Sequence, residues 1–134
     1  MKGVFLVNVK QKITSITIEV FSQDGVKLQY NAIGEITGKY SGRHLETIDV
    51  LRRQDGSNRW ESRIVQTTID GDVILILAKG IGKQDTPTTV RFQGEGTIMT
   101  QSRKFSELNS MKCWIEGTND LENDEVDFTI YTMK

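Results

Sequence analysis

Residues 59–82, RWESRIVQTTIDGDVILILAKGIG, constrain the fold most, because they join the two most strand-like runs of the chain through Asp70-Gly71. Aliphatic and β-branched residues suit a pleated, half-buried surface. An Asp-Gly pair suits a hairpin tip, where positive φ is required and glycine supplies it without steric cost. With Asp70-Gly71 as a two-residue loop, Gln66 faces Leu75, Ile64 faces Leu77, Ser62 faces Lys79 and Trp60 faces Ile81. Alternation puts these pairs on one side of the sheet, read as the inner side because it holds the aromatic and aliphatic residues. The outer side then pairs Thr67 with Ile74, Val65 with Ile76 and Arg63 with Ala78. A second such turn at Asp55-Gly56 adds a third strand, with Leu51 opposite Trp60, Asp49 opposite Ser62, Thr47 opposite Ile64 and Leu45 opposite Gln66.

The rest of the chain repeats this pattern. Residues 3–9, 13–21, 26–35, 44–53, 88–99, 111–116 and 126–132 alternate apolar and polar residues between turn signals such as Asp24-Gly25 and the polar, acidic loop GTNDLENDE. Residues 102–110, SRKFSELNS, are too short for a typical helix and read as a loop with one turn. Strands at hairpin spacing with no amphipathic helix give an all-β fold, an antiparallel β-barrel of about eight strands, with a β-sandwich as the alternative. Gly34, Gly38, Gly80, Gly82, Gly94 and Gly96 favour the barrel, since a closed sheet needs small residues at its corners. The length suits a single domain over residues 1–134.

Charge narrows the partners. Seventeen basic and 18 acidic residues are dispersed along the chain for a net charge of −1, which gives no footprint for nucleic acid or an anionic membrane. One cysteine, Cys113, excludes an internal disulfide and fits a reducing compartment. The apolar run near the start ends at Asn8, too short for a signal peptide core or a membrane span. A cytoplasmic protein is expected.

The segment FQGEGTIMTQSRKFSELNS resembles the signature of the allene oxide cyclase and dirigent-like barrels, in which a Gly-rich strand leads into a Lys/Arg–Phe turn. Thr100, Lys104, Phe105 and Leu108 match that turn, whereas Ser102 and Ser110 stand where those families show glycine. The resemblance implies an eight-stranded, often oligomeric barrel whose apolar cavity binds or cyclises a hydrophobic compound without a cofactor. It carries over no catalytic residue.

The three-strand register stacks Asp49, Ser62 and Lys79 in one row of an otherwise apolar inner wall, with Trp60 and Gln66 nearby. These five residues are the candidate ligand-binding set for a small apolar or amphipathic molecule. A cofactor-free isomerase or cyclase and a structural barrel with a filled interior are the alternatives. His44, the one histidine, falls on the outer side in this register and reads as exposed, and Cys113 reads as a buried structural thiol. No metal set, phosphate loop or catalytic triad spacing occurs, so neither metal nor cofactor is expected. Val73 to Ala78 are six consecutive apolar residues, so both faces of that strand must be covered. Val65, Thr67, Ile69, Ile74, Ile76 and Ala78 would form the interface of a closed dimer or trimer.

Overall fold

The computed structural model describes residues 3–133. Eight strands follow in chain order: β1 (Val4–Ser22), β2 (Gly25–Gly38), β3 (Gly42–Arg53), β4 (Ser57–Thr68), β5 (Val73–Thr86), β6 (Thr89–Thr100), β7 (Lys112–Asp120) and β8 (Glu125–Met133). Each pairs antiparallel with the next, and β8 returns to β1 to close the barrel. The all-β barrel is therefore borne out over the sandwich. Residues 102–110 form a loop with one 3₁₀ turn, Ser106–Ser110, whose Leu108 is buried at one end of the barrel. No helix among the described residues is long and apolar enough to cross a membrane.

The register differs from expectation by one residue at two hairpins, and the turns explain why. Gly71 N–H donates to Thr68 O at 2.9 Å and Gly56 N–H to Arg53 O at 3.1 Å, with φ of +90° and +88°. Each loop is thus three residues long, a turn closed by a left-handed glycine, rather than a two-residue loop. One added residue shifts the partner strand by one and exchanges its faces. Trp60 lies opposite Val50 and Gly80, Ser62 opposite Ile48 and Ala78, Ile64 opposite Glu46 and Ile76, and Gln66 opposite His44 and Ile74.

The inner assignment of β4 stands, while those of β3 and β5 reverse. Asp49 points outward, where Gln29 Nε2 donates to it at 3.1 Å and Arg63 Nη1 pairs with it at 3.2 Å. Lys79 is exposed on the outer wall opposite Glu61 and Glu95. His44, expected outside, is fully buried. The expected interface divides: Val65, Thr67 and Ile69 are exposed, whereas Ile74, Ile76 and Ala78 are buried in the core. The outer wall instead carries a cross-strand apolar row, Ile33–Leu45–Val65–Leu75–Met99, spanning five strands, and a second exposed apolar stretch on β1 at Ile16, Ile18, Val20 and Phe21.

The interior has two unlike halves. At the end capped by Leu108, side chains such as Val7, Val9, Ile36, Ile74, Ile76, Ile98, Cys113 and Ile130 fill the barrel. Phe105 stacks its edge on Tyr40 there, with ring centroids 5.3 Å apart. The other half packs more loosely, around a cavity lined by Tyr30, Trp60, Phe92 and Phe128.

Candidate functional site

A chain of hydrogen bonds crosses the interior between the two halves. Tyr40 Oη donates to Gln66 Oε1 at 2.5 Å, which turns the Gln66 nitrogen toward His44 Nδ1 at 3.1 Å. Nδ1 must accept from that nitrogen, so the ring carries its proton on Nε2 and donates it to Glu46 Oε1 at 2.8 Å. Ser62 Oγ donates to the other carboxylate oxygen at 2.6 Å. Alternation produces the arrangement: His44 and Glu46 are two apart on β3, and Ser62 and Gln66 lie on the inward phase of neighbouring β4. The Tyr40 phenol holds its proton well above the usual range because burial disfavours its anion.

Glu46 and Ser62 form the floor of a cavity of about 60 Å³. Its walls are aromatic and aliphatic. Trp60 and Phe92 meet edge to face at 5.8 Å, Phe92 and Phe128 at 6.1 Å, and Phe128 also meets the His44 ring at 5.5 Å. Trp60 lies against the strands because Gly80 and Gly94 have no side chain beneath it; a Cβ on either would come within 2.7 Å of its ring. Its Nε1–H donates to Ile81 O at 3.2 Å.

Polar groups punctuate these walls. Tyr30 and Arg52 interact with each other, and burial raises the Tyr30 pKa while Arg52 partly offsets it. Gln11 and Asn119 reach the same space. Gln11 is 5% exposed, and neither its Nε2 nor its Oε1 has a hydrogen-bond partner; Asn119 Oδ1 is likewise unpartnered. Native interiors leave few such groups. Among the described residues, every unpartnered buried side-chain nitrogen or oxygen belongs to a wall of this one cavity.

Of the five residues expected to bind ligand, Trp60 and Ser62 line the cavity. Gln66 is buried behind the floor, spent on Tyr40 and His44. Asp49 and Lys79 lie outside. Sequence reasoning missed Gln11, His44, Glu46 and Asn119, although each is a polar residue in an apolar phase: Gln11 follows Val7 and Val9, and Glu46 precedes Ile48 and Val50. No cluster of three or more His, Cys, Asp or Glu side chains among the described residues could hold a metal ion. What the site offers chemically is an acceptor-rich carboxylate, an open amide and an aromatic wall.

The chain matches none of the known protein families and none of the curated proteins. Solved structures do match. A protein of unknown function from Clostridium acetobutylicum has a TM-score of 0.87 at 16% identity, covering 100% of both chains. A β-barrel-like protein from Acinetobacter baumannii has a TM-score of 0.83 at 20% identity, over 98% of this chain and 94% of that one. An enzyme from Penicillium herquei has a TM-score of 0.69 at 23% identity, over 95% of this chain and 91% of that one. These likenesses show the barrel.

Proposed function

We propose that the barrel is a container for a small amphipathic molecule, bound in its cavity without a cofactor. The Gln11 carboxamide carries this reading: it is buried, open at both ends and on the cavity wall. Such a group costs stability when it has no partner and regains it when a ligand supplies one. The cavity also speaks against a filled, purely structural barrel. Native mass spectrometry of protein purified under mild conditions tests the reading. A retained small molecule that leaves on denaturation supports it. Empty barrels whose melting temperature is unmoved by small bicyclic aromatics overturn it.

A second reading, cofactor-free isomerisation or cyclisation of the bound molecule, is favoured by Glu46. A carboxylate on a cavity floor, oriented by His44 and Ser62, is a group that can take and return a proton. This is the activity that the resemblance to allene oxide cyclase implies, and the Penicillium herquei barrel is described as an enzyme. Turnover that Glu46→Gln removes while binding persists would support it; undiminished turnover in that variant would exclude Glu46 as the base.

A further inference from the structure

The open amide of Gln11 also says what kind of molecule fits. Gln11 sits on β1 in a cross-strand row that runs from Val126 through Gln11 and Gly34 to His44. Gly34 has no side chain, and a Cβ there would lie 2.6 Å from Gln11 Cβ, so β2 packs closely against the Gln11 backbone and offers its amide no polar side chain at that position. A carboxamide offers one N–H donor and one carbonyl acceptor side by side. With both free, its complement is a ligand edge that places an N–H or O–H next to a carbonyl. Asn119 Oδ1 asks for a further donor.

Two other features narrow the class. Trp60, Phe92 and Phe128 meet successively edge to face, which gives the cavity an aromatic wall suited to an apolar ring. Glu46 makes the floor acceptor-rich, and an anionic group placed there would meet a carboxylate with no cation beside it, since Arg52 lies with Tyr30 farther along the wall.

We propose that the cavity takes a small ring compound whose buried end is uncharged and bears a donor beside a carbonyl, and that the Gln11 amide reads that edge. This rests on the container reading above. Three matched probes separate the two: isoquinolin-1(2H)-one, which has the edge; its N-methyl derivative, which lacks the donor; and naphthalene, which has neither group. Calorimetric titration of the wild-type protein should show isoquinolin-1(2H)-one binding about 10-fold or more tighter than naphthalene, as expected for two neutral hydrogen bonds, and about 3-fold or more tighter than the N-methyl derivative, which loses one. Gln11→Met should abolish that preference while still binding naphthalene. Wild-type protein that binds all three alike overturns the edge-reading role of Gln11 and leaves the container intact. Protein that binds none of them overturns both, as does a preference that survives in Gln11→Met for the edge-reading role alone.

Discussion

Replacing Gln11 by methionine should make the protein more stable. The substitution keeps length and volume nearly constant and removes two buried polar atoms that have no partner. Relieving an unsatisfied buried group is worth about 1–3 kcal/mol, or roughly 3–5 °C in Tm per kcal/mol for a chain of this size. Gln66 is the internal control. It is also a buried glutamine on an inward strand position, but both ends of its amide are bonded. Gln66→Met leaves the Tyr40 hydroxyl and His44 Nδ1 without partners, and two such losses cost about 2–6 kcal/mol together. One chemical change thus carries opposite signs at two sites. Urea unfolding followed by fluorescence and circular dichroism measures both. If Gln11→Met destabilises the protein by more than about 1 kcal/mol, the amide is bonded in solution and the case for a ligand edge fails with it.

Cys113 is fully buried, and burial pushes its thiol up to about 11 from 9.0. Its folded pKa lies above the unfolded one, so the contribution is complete below pH 9 and is lost as pH rises to about 11, with a size of about 2–3 kcal/mol. Unfolding at pH 8 and pH 11 should show this loss in the wild type and a smaller one in Cys113→Ala. Gly94→Ala puts a Cβ 2.2 Å from Lys79 O and 2.6 Å from Trp60 Cζ2, so it should cost about 1–3 kcal/mol and shift Trp60 emission, read in a Trp114→Phe background. The outer row through Leu45, Val65 and Leu75 is the expected surface for self-association, and Leu75→Lys should weaken it without unfolding the barrel. Sedimentation showing the wild type monomeric at tens of micromolar would remove that expectation.

The barrel was legible because alternation and turn spacing survive an error in register. The site was less so. An Asp-Gly pair serves a two-residue turn and a three-residue turn equally well, since in both the glycine supplies a positive φ. The strands could not correct the slip: residues 73–78 are apolar on both phases, and residues 44–52 carry both Leu45-Thr47-Asp49-Leu51 and His44-Glu46-Ile48-Val50. β4 escaped because its outer phase carries Arg59, Glu61 and Arg63. Asp49 and Lys79 were misassigned for the same reason that His44 and Glu46 were missed. Gln11 needed no register, only attention to a polar residue in a run whose other inward members are valine and isoleucine.

The seam between β1 and β8 ties binding to closure of the barrel. All other strand pairs are chain neighbours, but the seam joins residues near opposite ends of the chain, such as Val9 with Phe128. Closing a loop about ten times longer than a hairpin's costs roughly 2 kcal/mol more in chain entropy. Before it closes, the sheet has two bare edges, a state prone to aggregate. Asn8 latches the seam from β1, donating to Asp127 Oδ1 at 3.0 Å and to Phe128 O at 2.9 Å. The cavity straddles the same seam, with Gln11 on one side and Val126 and Phe128 on the other. It exists only once the ring is shut, so an occupant at a hundred times its Kd would favour the shut ring by about 2.7 kcal/mol. An occupant of that cavity would therefore also act as a staple between β1 and β8.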